Sequence, residues 1–308
     1  MKTRKKRMSL LQIREARVGY IFILPWIIGL LAFTVGPILF SLYTSFTEYN
    51  IAQPPKWIGL QNYITALAAD MLVPKSFMNT LWYACVNVPI VTVGGLLVAC
   101  ALNTKIPGMR FFRTVYYIPS VLVGIGVYFL WMLLLHPTNG LVNWAVGLLG
   151  VKGPAWLSSP QWTKPAVVLM NVWGFGAQML LYLARLQSIP EDLYEAAELD
   201  GAGGGGKFLK ITIPMLSPII FYNLTLSIIG NLQVFQEGYV LSGDGTGQPA
   251  NSLLFFNLHL WRQAFYYFRM GYASALSWLL FIVIMALTAV NVLVSKHWVF
   301  YEGGGPND

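Results

Sequence analysis

Long apolar runs separated by short polar or charged connections make up most of the chain. Six of these runs carry no charged residue in their interior, and each has at least the roughly 20 residues that an α-helix needs to cross a bilayer. The pattern therefore predicts an all-α polytopic membrane protein with six transmembrane helices. The predicted spans are, in order, about 18–47, 77–103, 114–135, 165–185, 218–239 and 270–295. Because six is an even number, we expect both termini on the same side of the membrane.

Composition and charge add the orientation. Charged residues make up only 10% of the 308 residues, against roughly 25% in an average soluble domain. Of the 20 Lys and Arg, 14 lie near the termini or in the connections after the second and fourth spans. The positive-inside rule therefore places both termini and residues 186–217 in the cytoplasm. The net charge of +8 follows from this topology and does not indicate a nucleic-acid partner. The basic residues 2–7 are expected to lie against anionic lipid headgroups.

The acidic connection after the fourth span predicts a short helix. Ser188 and Glu191 have the spacing of a capping box, and Pro190 in the first turn lacks only an amide proton that the helix does not need. The helix should cover about residues 189–200. Gly201 should end it, because glycine readily adopts the left-handed backbone found after helices.

One face of this helix has the shape of a docking surface. Leu193, Ala196 and Ala197 lie on the same side, and the two small methyl groups allow another surface to approach closely. Glu195 can offer a carboxylate to a partner. An ordinary cytoplasmic loop helix would explain the spacing equally well. A second helical piece should begin near Lys207 and stop before Pro214.

The two pieces together resemble a known motif. The arrangement E-A-A-x-x-D-G-A, followed by F-x-x-I-x-x-P-x-L-x-P, is similar to the EAA loop of ABC-importer permeases in the form found in binding-protein-dependent sugar permeases. The matching residues are Glu195, Ala196, Ala197, Asp200, Gly201, Ala202, Phe208, Ile211, Pro214, Leu216 and Pro218. The resemblance implies a type I ABC-importer permease fold, in which those from Glu195 to Pro214 couple the chain to an ATPase. Residues 203–206 are all glycine, unlike the family pattern, so this link is predicted to be flexible.

The resemblance also sets the domain organisation. It implies a basic cytoplasmic segment at 1–17, a single permease domain at 18–300 with its coupling loop at 186–217, and a cytoplasmic tail at 301–308. The outer motif W-I-G-L-Q-N-Y at 57–63 is similar to an element after the first span of sugar permeases, although its aromatic residues would also suit a membrane-interface belt.

No cofactor or metal site is expected in this chain. Residues 201–207 satisfy G-x-x-x-x-G-K, but Phe208 replaces the Ser or Thr that would hold magnesium, and no strand precedes the glycines. The three histidines are scattered. Cys85 and Cys100 are fifteen residues, about 22 Å, apart on one predicted helix and cannot form an intrachain disulfide. ATP and Mg would therefore be bound by partner subunits.

Two stripes of polar residues run along the fourth and fifth predicted spans. Side-chain amides are costly against lipid, so both stripes should face protein or water. Interhelical hydrogen bonding would explain them, and so would a translocation path. The candidate path residues are Asn171, Trp173, Phe175, Gln178, Asn223, Ser227 and Asn231. Amides and aromatic rings suit a neutral polyol, and no Lys or Arg lies within a predicted membrane core to bind an anion. The resemblance implies a path-lining position for Trp173, Ser227 and Asn231.

Two acidic residues lie where the fifth span leaves the outer face. Glu237 and Asp244 are candidates for a gate or for contact with an external protein, although a carboxylate at a helix end near water needs no function. The motif at 271–277 resembles the start of the last span in sugar permeases. There Gly271 and Ala275 form a small-x-x-x-small pair that would also pack helices.

Three classes of function follow from these features. The resemblance implies a multi-pass subunit of a bacterial inner-membrane sugar importer. Its implied partners are a second related permease, two ATPase subunits and an extracytoplasmic sugar-binding protein. An ion-coupled secondary transporter would need an ionisable residue deep in the membrane, and none of the 12 Asp and Glu lies at mid-span. An enzyme acting on lipid-linked sugar would need paired carboxylates or a metal cluster at the membrane surface. The only dense acidic set, at 191–200, belongs to the EAA motif.

Overall fold

The first predicted span lies within one uninterrupted helix, in which a π-helical turn precedes Pro37. The computed structural model describes residues 10–104, 106–122 and 124–300. Helix α1 covers Leu10–Leu30, a π-helical turn covers Leu31–Val35, and α2 covers Gly36–Ser45. Pro37 lies in the first turn of α2, where a residue needs no amide proton to bond within that helix.

The first outer connection folds back onto the end of α2. Strand β1, Thr47–Glu48, pairs antiparallel with β2, Lys56–Trp57. The short helix α3, Gln61–Ile64, follows and continues as a π-helical turn over Thr65–Ala69.

The W-I-G-L-Q-N-Y motif makes the contacts that hold this connection. The Trp57 ring stacks on Phe46 with centroids 5.5 Å apart. The Tyr63 hydroxyl donates to Ser45 Oγ at 2.8 Å, and Asn62 Nδ2 donates to the carbonyl oxygens of Ser45 and Thr47 at 2.9 Å. The motif therefore attaches the connection to the C-terminal end of α2. Its rings can do this whether or not they also touch lipid headgroups.

The remaining helices include two broken pairs. They are α4, Leu72–Leu102; α5, Met109–Val121; α6, Ile125–Leu134; α7, Leu141–Leu148; α8, Thr163–Val172; and α9, Gly176–Leu186. The predicted span at 114–135 is interrupted between α5 and α6, where Gly124 has a φ of +100° that other residues rarely adopt. The predicted span at 165–185 bends by 41° between α8 and α9. The described part of the chain thus holds four uninterrupted candidate spans, or up to six if each bent pair is one span.

The segment around the EAA motif leads directly into the fifth span. Helix α10 covers Glu191–Leu199, α11 covers Gly204–Lys207, a π-helical turn covers Phe208–Thr212, and α12 covers Ile213–Leu232. The prediction that the second piece stops before Pro214 is wrong, because the helix is continuous over Gly204–Leu232. The predicted fifth span at 218–239 therefore begins earlier than expected and ends at Leu232.

The local bonding explains why the two prolines do not break this helix. Pro214 lies in the first turn of α12, directly after the π-helical turn in which the Ile213 amide donates to the Phe208 carbonyl. Pro218 has no amide for the carbonyl of Pro214, and Ser217 Oγ donates to that carbonyl at 2.6 Å instead. A neighbouring hydroxyl thus satisfies the group that the proline leaves open.

The last outer connection and the last span complete the fold. Helix α13 covers Gln236–Leu241, α14 covers Phe256–Trp261 with a π-helical turn at Arg262–Tyr266, and α15 covers Met270–Ser295. Helix α4 is central and packs against α8, α9, α12 and α14, while α15 packs against α2 and α12. Gly271 lies so close to the first connection that a Cβ atom there would collide with the Thr47 carbonyl oxygen, and Ala275 is fully buried. The small-residue pair therefore permits close packing.

A half-buried carboxylate links the segment before α4 to α14 and α15. Asp70 Oδ2 lies 3.0 Å from His259 Nε2 on α14 and accepts a hydrogen bond from the Tyr272 hydroxyl on α15 at 2.8 Å. Burial lowers the pKa of His259 in spite of the adjacent carboxylate. Burial raises the pKa of Asp70, but the hydrogen bonds from Tyr272 and the Leu72 amide and the nearby His259 outweigh it, so this pKa lies below its usual value.

The directions of these two pKa shifts predict that the free energy of unfolding decreases in acid. His259 has a lower pKa in the folded chain than the ordinary value of about 6.5, so below that pH the unfolded chain binds more protons and stability is lost. We expect the free energy of unfolding in detergent to fall by up to about 1.4 kcal/mol per pH unit below about pH 6.5. The Asp70 contribution is present above about pH 4 and is lost only as the pH falls further.

The matched variants are His259→Gln and His136→Gln, since His136 is exposed in the second outer connection. Thermal unfolding from pH 7.5 to 5 should lose its slope in His259→Gln and keep it in His136→Gln. An unchanged slope in His259→Gln would show that another group titrates.

Candidate functional site

A polar cavity of about 610 Å³ lies where α4, α9 and α12 meet. Its wall also contains residues from the α8–α9 bend and from the connection that follows α12. The lining polar side chains are Tyr83, Asn87, Tyr128, Asn171, Gln178, Ser227, Asn231, Gln233, Gln236 and Glu237. No Lys, Arg or His is among the lining residues, so the cavity offers hydroxyl, amide and carboxyl groups without a cation.

A chain of hydrogen bonds crosses the cavity wall from helix to helix. Gln178 Nε2 on α9 donates to Ser227 Oγ on α12 at 2.7 Å. One turn further along α12, Asn231 Nδ2 donates to the Ser227 carbonyl at 2.8 Å. Asn231 Oδ1 in turn accepts from Asn87 Nδ2 on α4 at 2.7 Å. Three helices are thus joined by side-chain amides and one hydroxyl.

Two acceptors of this chain remain open. The side-chain oxygens Oδ1 of Asn87 and Oε1 of Gln178 are buried and have no hydrogen-bond partner among the described residues. An unpaired buried oxygen costs free energy. Because protein encloses both atoms, a donor from a solute would reach them only after the surrounding side chains had moved.

The remaining polar wall is held in the same way. Asn171 Nδ2 on α8 donates to the Tyr83 hydroxyl on α4 at 2.9 Å. Glu237 on α13 shares a hydrogen bond with the Tyr128 hydroxyl on α6. A contact between α6 and α13 therefore forms part of the cavity wall.

The structure separates the candidate path residues into two groups. Asn171, Phe175, Gln178, Ser227 and Asn231 line the cavity. Trp173 does not; it packs edge-to-face against Trp131, with centroids 5.7 Å apart, beside a smaller neighbouring cavity. Asn223 lies two turns before Asn231 on α12 and is only 2% exposed. The structure thus brings five of the seven together.

Several lining residues were not among the sequence candidates. Asn87 joins the hydrogen-bond chain, and Tyr83 and Tyr128 contribute hydroxyls to the wall. Asn87 carried a usable signal, because a side-chain amide within an apolar run needs a partner. Tyr83 and Tyr128 carried no such signal, since tyrosine in a membrane helix is also common at the lipid interface.

The two acidic candidates occupy different environments. Glu237 lines the cavity, as described above. Asp244 lies in an exposed turn, where its Oδ1 accepts from the Thr246 hydroxyl at 2.6 Å and the Thr246 amide at 2.9 Å. Hydrogen bonds from Thr246 lower the pKa of Asp244. The turn is therefore ordered by its own acidic residue.

The second site is the segment at 186–217, called here the coupling segment. Helix α10 exposes most of its surface, including Leu193, Glu195 and Ala196, and Leu199 is 91% exposed. Tyr194 packs on the core cluster, and its hydroxyl lies 2.9 Å from Thr212 Oγ1. An ion pair between Glu198 and Lys207 joins α10 to α11. Apolar side chains such as Leu193 and Leu199 nevertheless remain exposed on this helix.

The ends of α10 differ in part from expectation. The predicted capping box is wrong, because Pro190 occupies the N-cap position and no side-chain cap bond forms there. Ser188 Oγ donates to the Arg185 carbonyl at 2.8 Å instead. Gly201 ends the helix with a φ of +78°, as predicted. Asp200 and Ala202 flank it, and Gly204 to Gly206 form the first turn of α11.

The rest of the motif lies at the base of α12. Phe208 begins the π-helical turn, and Ile211 packs against the core cluster that contains Leu186 and Met215. Pro214 lies in the next turn. The motif therefore spans an exposed helix, a left-handed turn at Gly201 and the start of α12.

Comparison with known proteins settles the family. The family described as "Binding-protein-dependent transport system inner membrane component" matches residues 64–298, most of the chain. The chain belongs to this family. As a member it is a transport permease subunit of the inner membrane, and the segment that resembles the EAA loop lies within the matched region.

Individual relatives agree along almost the whole permease. It is 37% identical over 291 residues to the "Probable ABC transporter permease protein YesP" of Bacillus subtilis (strain 168), covering 94% of each chain. It is 35% identical to the "Trehalose/maltose transport system permease protein MalF" of Thermococcus litoralis, covering 94% of this chain and 97% of that one.

A solved structure shares the fold. A chain from a bacterial alginate ABC transporter in complex with an alginate pentasaccharide-bound periplasmic protein superposes with a TM-score of 0.77. The match covers 92% of the permease and 94% of that chain at 24% identity. The helical arrangement is therefore that of an ABC-transporter permease.

The hydrogen bond between Asn87 and Asn231 should be measurable as a coupling between α4 and α12. Asn87→Leu and Asn231→Leu each leave one amide without its partner, and we expect each to lower the free energy of unfolding by about 1–2 kcal/mol. The double variant should lose less than the sum of the two, because the second change removes an amide that is already unpaired.

Thermal unfolding of the purified permease in detergent measures the loss of stability in the two single variants and in the double variant. Gln233→Leu is the control, because Gln233 lines the same cavity but is exposed and its side chain is not in the chain of bonds. Strict additivity of the two losses would contradict the pairing.

Proposed function

We propose that the permease forms the translocation path of an ATP-driven importer for a neutral sugar. The observation that carries this proposal is the continuous helix over Gly204–Leu232. It begins within the coupling segment and presents Ser227 and Asn231 to the polar cavity. Twenty residues separate Lys207 from Ser227, which is about 30 Å of helix. In the proposed orientation, one continuous helix would connect the cytoplasmic surface to the solute cavity.

The chemistry of the cavity supports a sugar. Its amide and hydroxyl groups can pair with solute hydroxyls, and Phe175 and Phe235 offer apolar surface to C–H faces. Among relatives, one is named a trehalose/maltose permease, another a lactose permease of Rhizobium radiobacter, and a third an arabinooligosaccharide permease of Bacillus subtilis. The lack of a cation in the lining favours a neutral solute.

The proposed assembly has two permease and two ATPase subunits. The apolar face of α10, with Leu193 and Ala196, would lie in a groove of an ATPase subunit, and a second related permease would complete the path. An extracytoplasmic sugar-binding protein would deliver the solute. ATP and Mg would be bound by the ATPase subunits, and closure of the ATPase pair would move α10 and with it the helices that line the cavity.

The proposed topology has six spans with both termini in the cytoplasm. In that arrangement α5 with α6 forms the third span and α8 with α9 the fourth. Residues 46–71, 135–162 and 233–269 would face outward, and the coupling segment inward. The distribution of Lys and Arg supports this orientation.

The topology can be tested with single cysteines placed in exposed connections. In a chain with Cys85 and Cys100 replaced by serine, Asp244→Cys and Lys152→Cys should react with a membrane-impermeant maleimide in intact cells. Thr104→Cys should react only after the membrane is permeabilised. If Lys152→Cys and Thr104→Cys share a side, then α5 and α6 do not form a span.

Coupling should depend on the hinge at the end of α10. Gly201 has a φ of +78°, so Gly201→Ala places a side chain in the left-handed region at a cost of about 1–2 kcal/mol. We expect ATP-driven sugar uptake by the reconstituted importer to fall at least fivefold, while ATPase turnover per complex continues or the ATPase dissociates. Gly203→Ala is the matched control, because Gly203 has an ordinary φ of −71° and open space around it.

A second variant tests the docking face itself. Glu195→Lys should reduce co-purification of the ATPase subunits, because it reverses a charge on the exposed side of α10. Full uptake in both Gly201→Ala and Glu195→Lys would contradict the proposed route of coupling.

A further inference from the structure

A row of aromatic rings leads away from the polar cavity along the last outer connection. Phe235 follows α12, Trp261 ends α14, and Phe265 lies one turn later in the π-helical turn. The centroids of Phe235 and Trp261 are 5.9 Å apart, and those of Trp261 and Phe265 are 5.7 Å apart. These three residues, called here the aromatic row, form a continuous series of neighbouring rings.

The row begins inside the cavity. Phe235 lines it together with Gln233 and Gln236, whose side chains are exposed. At its other end, Phe265 is 57% exposed. The row therefore forms a path from the cavity to the surface of the connection, with two side-chain amides beside its inner end.

A different set of side chains holds the connection in place, so its packing does not explain why these rings are exposed. The opposite side of α14 and of its π-helical turn is buried, since Leu258, His259 and Ala264 are at most 5% exposed. That side holds the connection against α4 and α15, with His259 next to Asp70. Tyr239 holds two of the rings in place, because it stacks on Phe235 at 5.5 Å and packs edge-to-face against Trp261 at 5.0 Å. The row is thus held in place while its outer ring stays accessible.

Aromatic rings beside amides are a recurring arrangement for binding sugars. The apolar face of a pyranose or furanose ring packs on an aromatic face, and its hydroxyls pair with amides at the edge. We propose that Phe235, Trp261 and Phe265, with Gln233 and Gln236, form a second saccharide subsite outside the cavity. It would hold the sugar units that follow the one in the cavity, so the solute would be an oligosaccharide of at least two units. This inference rests on the proposed function.

The test uses the complete importer with its binding protein in proteoliposomes. Uptake of labelled mono-, di- and tetrasaccharides, comprising glucose, maltose, maltotetraose, lactose and the arabinose series, is measured with and without ATP. We expect the wild type to take up di- or longer saccharides. Phe265→Ala should raise the KM for such a saccharide roughly fivefold to tenfold and leave any uptake of its monosaccharide unchanged.

Two further variants keep the result interpretable. Tyr266→Ala removes a neighbouring exposed ring that is outside the row, so uptake should be unchanged. Trp261→Phe keeps an aromatic ring in the row and should give a smaller effect than Trp261→Ala. ATPase activity stimulated by the binding protein shows that each variant is assembled.

The possible outcomes distinguish the second saccharide subsite from the proposed importer function. A wild type that takes up only monosaccharides would overturn the second subsite and leave the importer function intact. Equal loss for all sugars in Phe265→Ala, or the same loss in Tyr266→Ala, would show a contact with the binding protein instead and would also overturn the subsite. If no sugar is taken up with ATP, the proposed function itself fails.

Discussion

The structure depends on one constraint: a polar backbone group inside a bilayer has no water to bond with and must find its partner in the protein. The start of α12 shows how the protein meets it, because Pro218 in the proposed span and Pro214 just before it each lack an amide donor. The π-helical turn places Pro214 in a first turn, where no donor is required, and Ser217 Oγ replaces the donor missing at Pro218. The helix is continuous for this reason. A break at either proline would separate the coupling segment from the residues that line the cavity.

The same constraint shapes the cavity. The amides of Asn87, Gln178 and Asn231 would be unfavourable against lipid, and they pair with one another or with Ser227 across three helices. Interhelical bonding and solute binding were alternative explanations of these residues in the sequence. The structure shows the bonding directly, and the same side chains line the polar cavity. The two explanations are therefore compatible, because the amides that join the helices also form part of the cavity wall.

The sequence predicted the parts of the fold that follow from long patterns. Apolar runs predicted the long helices, and Gly201 predicted where α10 ends. Local chemistry was less predictable. Ser188 and Glu191 had capping-box spacing, but Pro190 is the N-cap and the Ser188 hydroxyl bonds to the preceding turn. Pro214 read as a helix end because no sequence pattern signals a π-helical turn. Asn87 and Tyr128 reach the cavity through tertiary packing of α4 and α6, which periodicity within one helix does not contain.

The arrangement of contacts also limits how α10 can move the cavity. Helix α10 is attached to the body of the permease through Tyr194 and Thr212, at the base of α12, and to α11 through Glu198 and Lys207. Both attachments lie on the segment that continues into α12, so a displacement of α10 would be passed to that helix. At the other end, α12 is bonded to α9 through Ser227 and to α4 through Asn231. Asn291 Nδ2 on α15 also donates to Thr225 Oγ1 on α12 at 2.8 Å, so a rotation of α12 would alter its bonds to α4, α9 and α15 together.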